Sequence, residues 1–205
     1  MGLFRFFAPQ PITEESDSTT ELPGVVGSLT AREALAAILP AVRQVDRVCV
    51  LRLVTSGEDI DHRGRTTVWE FFFDFPRRNG LGIFAVKPCD VEEEPSPCCL
   101  RAKVRPKYYR DTGIAAQLVE RLKHDRAALA YVRRVWREAE AREPVLPLDF
   151  RDSPEAVRAL ADQGADWISG STSMTLSSKR LPSGELVWST LMYDDEFQTP
   201  FAGDG

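Results

Sequence analysis

Two stretches of the chain share one order of hydrophobic and polar positions. The first begins with a helix start at 30–35 and reaches a strand containing Trp69, and the second begins at Ser153 and reaches a strand containing Trp188. In each stretch a capping Ser or Thr precedes the helix, and an alternating apolar strand follows a polar loop. The pattern predicts a duplicated unit.

The first unit carries a clear helix signal. Thr30 and Glu33 form a capping box, and apolar residues then recur at helical spacing between 35 and 42. Pro40 predicts a kink or an early end, because proline removes one backbone hydrogen bond of the helix.

The strands of the first unit are predicted at 48–54, 68–75 and 83–86. Alternation in the second of them places one set of aromatic side chains on a single face: Trp69, Phe71, Phe73 and Phe75. Asn79-Gly80 is typical of the tight turn of a hairpin. We therefore expect an antiparallel sheet with one aromatic side.

A proline-rich connection at 88–106 and a long helix at about 112–142 are predicted to join the units. In the second unit Ser153 is the expected N-cap, with Pro154 at the first helical position. The fold class predicted is α+β: two related units, each a helix packed on a short antiparallel β-sheet, joined by a long helix.

Three regions follow from this pattern. Residues 1–24 form an N-terminal aromatic segment and flexible linker, 25–106 the first α+β unit with its connection, and 107–205 the long helix and second unit. Residues 11–24 are rich in Ser, Thr, Glu and Pro, a linker composition. The linker is expected to hold the aromatic segment away from the body; its apolar residues are Leu3, Phe4, Phe6 and Phe7.

The first unit resembles the small PepSY-type module, in which one helix packs across a short antiparallel sheet. The residues that carry the resemblance are 29–35 and 68–73, and it extends over 28–87 and again over 153–195. It implies tandem PepSY-like modules and a non-enzymatic binding or regulatory role. Such modules often lie outside the cytoplasm, and the lack of a signal segment here departs from that pattern.

Composition places the chain among ordinary globular proteins. Its 205 residues are 43% hydrophobic with a net charge of −5, which argues against nucleic acid as the partner of the whole protein. No apolar run reaches the roughly 20 residues that span a bilayer, so we expect a cytoplasmic protein. In a cytosolic chain of this size the four cysteines are expected to be reduced thiols, and their spacing matches no common zinc site: Cys49, Cys89, Cys98 and Cys99. No cofactor and no metal site are predicted.

Positive charge concentrates in residues 101–142, where twelve Lys and Arg face five acidic residues. Its first part interleaves cations with two aromatic side chains: Arg101, Lys103, Arg105, Lys107, Tyr108, Tyr109 and Arg110. This pattern suits an anionic partner, with the tyrosines as further partner contacts. A solvated helix face whose charge offsets acidic segments elsewhere is the preferred explanation.

The leading hypothesis is a non-enzymatic cytoplasmic protein-binding or adaptor protein that binds another protein through its N-terminal aromatic segment. No catalytic residues are predicted, because the chain lacks a nucleophile elbow and a phosphate-cradling glycine loop. One alternative is a small-ligand carrier or enzyme with a pocket lined by Trp69, Phe71 and Phe73. The other is binding of nucleic acid or another anionic partner through 101–137.

Overall fold

A computed structural model describes residues 9–89, 96–107, 124–125, 127, 130–131, 144–165, 175–192 and 195–202. Eight strands form one antiparallel sheet: β1 (Ser16–Val26), β2 (Val50–Ser56), β3 (Trp69–Phe75), β4 (Gly80–Pro88), β5 (Pro97–Pro106), β6 (Ser177–Arg180), β7 (Leu186–Met192) and β8 (Asp195–Pro200). Their order across the sheet is β1-β5-β4-β3-β2-β6-β7-β8. Helices α1 (Ala31–Val45) and α2 (Ser153–Ala161) and a 3-10 turn (Pro76–Arg78) complete the described elements.

The sheet runs without a break through both halves of the chain. At the seam, β2 meets β6 where Thr55 faces Ser177. Two serine side chains strengthen the seam: the Ser178 hydroxyl accepts from the Val54 N–H, and the Ser56 hydroxyl accepts from the Leu176 N–H, both at 2.9 Å. The prediction of two units, each with its own short sheet, is therefore wrong. Separate sheets would expose unpaired strand edges at β2 and β6, and their pairing removes both edges.

The helix predicted over 112–142 lies almost entirely outside the described residues. Ala127, Ala130 and Tyr131 are helical, but His124 lies in a turn and the Asp125 carboxylate accepts a hydrogen bond from the Ala127 N–H at 3.0 Å. Aspartate favours such caps because its short side chain reaches backbone N–H groups two residues on. A continuous helix through His124 and Asp125 is thus also wrong.

Residues 16–26 form the edge strand β1 where the composition indicated a flexible linker. β1 pairs with β5 from Ser16 opposite Val104 to Glu21 opposite Cys99. Nearly every β1 side chain is exposed, so the strand has none of the apolar alternation that identifies strands in a sequence. Backbone pairing and ion pairs to β5 hold it instead.

Both helices begin at the same place over the sheet. The capping box of Thr30 and Glu33 is confirmed, and α1 continues through Pro40 to Val45 without ending early. The N-cap of α2 is Asp152, and the predicted cap Ser153 lies one residue inside the helix. The two helix starts are thereby joined, since the Ser153 hydroxyl accepts from the Ala31 N–H at 2.9 Å.

The tryptophans of the repeated pattern meet in the core. Trp69 and Trp188 are fully buried, with ring centroids 6.4 Å apart in an edge-on arrangement. Each indole N–H donates to a carbonyl at a helix start: Trp69 to Leu29 and Trp188 to Arg151, both at 2.8 Å. These carbonyls occupy the same position, one residue before the N-cap of α1 and of α2. The repeated sequence signal thus corresponds to a repeated contact within a single sheet.

Candidate partner-binding surfaces

The chain just after the aromatic segment is fixed to the body. The Ile12 N–H donates to the Arg78 carbonyl at 2.8 Å, and the Arg78 guanidinium donates to the Gln10 carbonyl at 3.0 Å. The Ile12 side chain is buried and packs over Gly80, where a Cβ atom would overlap it. The predicted binding residues Leu3, Phe4, Phe6 and Phe7 lie outside the described residues, and the chain that follows them is fixed to the body from Gln10 onward.

An open cleft of about 880 Å³ lies beside Pro9, at the C-terminal end of α1. We call it the arginine cleft; its walls include Pro9, Pro40, Arg43, Asp46, Arg47 and Arg77. The helix end and the 3-10 turn bring these residues together, since Arg43 is in the last turn of α1 and Arg77 in the turn after β3. This cluster was not predicted from the sequence. The sequence feature that could have indicated it is the position of its arginines at the ends of two predicted elements.

Arg77 and Arg78 are neighbours with different roles. Arg78 donates to the Val45 carbonyl at 2.9 Å as well as to Gln10, so it ties the end of α1 to the 3-10 turn and to the N-terminal segment. Arg77 is exposed and lines the cleft. One arginine therefore holds the cleft together and the other faces its opening.

The predicted anionic-partner residues on β5 are largely occupied by carboxylates of the chain itself. Arg101 pairs with Asp17 at 2.8 Å and Lys103 with Glu15 at 2.7 Å, so acidic groups at and beside the edge strand β1 balance the cations of β5. The Arg101 guanidinium, which hydrogen-bonds to Asp17, holds the pKa of that carboxyl below its ordinary value.

The remaining members of that predicted site are distributed differently. Arg105 is half-buried on β5, and Lys107 lies 3.5 Å from the Asp74 carboxylate. Tyr108, Tyr109 and Arg110 lie outside the described residues. Anionic-partner binding by this stretch stays a prediction, and the geometry of its described cations favours internal pairing.

The buried carboxylate of Asp74 lies between the described residues on either side of 108–143, the stretch that contains Tyr108, Tyr109 and Arg110. Asp74 is 1% exposed, and its Oδ2 atom accepts from both Nε and Nη2 of Arg52 at 2.7 Å. Arg52 also donates to the Pro144 carbonyl at 3.2 Å, while Lys107 pairs with Asp74. Lys107 and Pro144, the described residues on either side of 108–143, are therefore both linked to the Arg52–Asp74 pair.

The aromatic face proposed as a pocket lining is packed. Trp69 and Phe71 are fully buried and Phe73 is 1% exposed. Phe73 contacts Phe84 edge-on, with ring centroids 5.8 Å apart, and Trp69 contacts Trp188. These side chains serve as core, which removes the geometric basis of the ligand-pocket alternative at this face.

The cysteines differ from the expectation of reduced thiols. Cys89 and Cys99 form a disulfide that joins the end of β4 to the start of β5. Cys98 is buried, with its thiol donating to the Gly27 carbonyl at 3.3 Å, and burial raises its pKa. Burial likewise raises the pKa of the half-buried Cys49. Within the described part of the chain, no three His, Cys, Asp or Glu side chains group to hold a metal ion.

Comparisons of the chain with known protein families, with characterised proteins and with solved structures find no match in any of the three. The PepSY-type resemblance therefore stays a prediction. Of the helices that the structure describes, none is long and apolar enough to cross a membrane.

Proposed function

We propose that this is a non-enzymatic protein-binding or adaptor protein that docks on a protein partner through its aromatic segment, Leu3, Phe4, Phe6 and Phe7. The observation that carries the proposal is the fixed position of the chain just after the segment, where Arg78 holds Gln10 and Ile12. At no more than about 3.6 Å per residue, Leu3 stays within about 22 Å of Pro9. A segment joined this closely to a fixed part of the chain loses less conformational entropy on docking than one joined by a long flexible linker.

The aromatic residues supply the binding energy in this proposal. Burying a phenylalanine or leucine side chain contributes about 1.5–3 kcal/mol, so four of them contribute about 6–12 kcal/mol before the cost of association. That cost is about 4–15 kcal/mol, which is comparable to the whole contribution of the four side chains. Removing three of them is expected to abolish docking.

The test compares two sets of alanine substitutions in pull-downs from the native lysate. Phe4→Ala/Phe6→Ala/Phe7→Ala removes the docking side chains, and Val26→Ala/Tyr131→Ala/Val145→Ala removes comparable apolar surface at exposed positions elsewhere. We expect a partner that the unaltered chain and the control retain and the first variant loses. The same partner should bind a synthetic peptide of residues 1–12. An unchanged set of bound proteins in the first variant contradicts the proposal.

The compartment is part of the proposal and has its own test. The sequence predicts a cytoplasmic location, whereas the Cys89–Cys99 disulfide is typical of proteins in oxidising compartments. Acid-trapping the protein in its native cells and labelling free thiols with a maleimide before gel electrophoresis separates the two cases. Four labelled cysteines favour the cytoplasm, and two favour an oxidising location.

A further inference from the structure

The arginine cleft carries an unbalanced positive charge. Arg43, Arg47 and Arg77 are all exposed, and in the ranges that the structure describes none of the three forms an ion pair. Other arginines of the chain form ion pairs with carboxylates, as Arg65 does with Glu33 at 2.7 Å. Three guanidinium groups around one cleft suit a ligand with several carboxylates, each of which accepts paired hydrogen bonds from an arginine.

The wall of the cleft also holds one buried acceptor. Asp46 is 7% exposed; its Oδ1 atom accepts from the Val48 N–H at 3.0 Å, and its Oδ2 atom is buried without a hydrogen-bond partner in the described chain. The Oδ2 atom is itself buried, so Asp46 acts on a ligand in the cleft through its negative charge and not through a hydrogen bond. The cleft therefore combines three exposed cations with one buried carboxylate.

This combination distinguishes between classes of anion. Inorganic phosphate satisfies the arginines but meets the negative charge of Asp46. An acidic peptide instead spaces its carboxylates along an extended backbone, so that separate side chains reach the separate arginines. Pro9 and Pro40 add apolar surface on which an extended chain can lie, and a volume of about 880 Å³ is in the range of ligand sites.

We propose that the arginine cleft binds an acidic peptide segment of a protein partner, with Arg43, Arg47 and Arg77 pairing with its carboxylates. The inference rests on the proposed protein-binding function but on different residues. Because Pro9 lines the cleft and lies two residues after Phe7 in the sequence, one partner is able to bind the cleft and the aromatic segment together.

The binding test is isothermal titration calorimetry of the full chain with an acetylated, amidated octapeptide of alternating glutamate and alanine. Arg43→Gln/Arg47→Gln/Arg77→Gln should weaken binding at least about tenfold, because it removes three charge-assisted contacts. The control Arg32→Gln/Arg63→Gln/Arg158→Gln removes the same charge from exposed positions outside the cleft and should stay within about twofold of the unaltered chain. Equal weakening in the two variants overturns the proposal.

Two further arms separate the ligand classes. Asp46→Asn should strengthen binding of inorganic phosphate by a larger factor than binding of the glutamate peptide, because it removes the negative charge that a compact anion meets in the wall. Phosphate or a ten-residue thymidine oligonucleotide binding more tightly than the peptide overturns the peptide assignment. Repeating the titrations in Phe4→Ala/Phe6→Ala/Phe7→Ala distinguishes the proposals, since the cleft should still bind the peptide if only aromatic docking fails. Urea unfolding of each variant confirms that it is folded.

Discussion

Replacing Ser153 by alanine tests whether the two halves fold as one body. The Ser153 hydroxyl is fully buried, where it accepts from the Ala31 N–H at 2.9 Å and donates to the Gly64 carbonyl at 2.6 Å. Ser153→Ala leaves one donor and one acceptor unpaired between the helix starts, at a position that is fully buried. Each buried group left unpaired costs about 1–3 kcal/mol, so the expected loss of unfolding free energy is about 2–6 kcal/mol.

Urea unfolding followed by tryptophan fluorescence measures this loss, because Trp69 and Trp188 lie against each other in the core. Ser189→Ala is the matched control: its hydroxyl donates at 2.6 Å to an exposed glutamate, Glu196, which water can satisfy. The control should lose less than about 1 kcal/mol. We expect Ser153→Ala to shift the midpoint at an unchanged slope, in one transition.

Two results would refute this reasoning. A loss in Ser153→Ala equal to that in the control means that the hydroxyl does not join the helix starts. A second transition, appearing only in Ser153→Ala, means that the halves unfold separately and that the continuous sheet does not couple them. Either outcome would undermine the single-body description of the fold.

Three further predictions concern other described contacts. Reducing the Cys89–Cys99 disulfide should lower the free energy of unfolding by about 2–3 kcal/mol for a loop of this length, measured in urea with and without dithiothreitol; no difference would contradict it. Because Arg101 lowers the pKa of Asp17 below 3.8, the pair's contribution to stability is complete above that pH and is lost as pH falls through the lowered value; carbon-13 NMR should show the midpoint returning towards 3.8 in Arg101→Gln. Gly64→Ala should cost at least about 2 kcal/mol in urea, because Gly64 has φ +72° and a Cβ there overlaps the backbone of Ser153; a loss below about 1 kcal/mol would contradict that geometry.

Local signals in the sequence predicted the elements whose causes are local. The capping box of α1 depends on two side chains three positions apart, and the aromatic face of β3 depends on strict alternation. Both are confirmed. The helix start at Asp152 was missed by one residue, because Ser153 looks like a cap in the sequence but turns its hydroxyl towards the distant Ala31.

Contacts between distant parts of the chain were not readable from the pattern. β1 gains its stability from backbone pairing with β5, about 80 residues away, and has no apolar face to reveal it. The pairing of β2 with β6 is likewise set by which strand edges remain open after each half has formed. The arginine cleft was missed for the same reason, since Arg43 and Arg77 become neighbours only when the 3-10 turn packs beneath the end of α1.

The arrangement of the helices explains why the candidate anion site lies where it does. Helix N-termini are the usual anion-binding ends, but here that of α1 is occupied from within: Ser153 accepts from Ala31, and Asp152 accepts from the Arg32 N–H at 2.9 Å. The C-terminal end of α1 carries the opposite partial charge, and Arg78 offsets it by donating to the Val45 carbonyl. The three cleft arginines form no ion pair within the described ranges, so in the proposed complex side chains, and not the helix dipole, would bind the anion at this end.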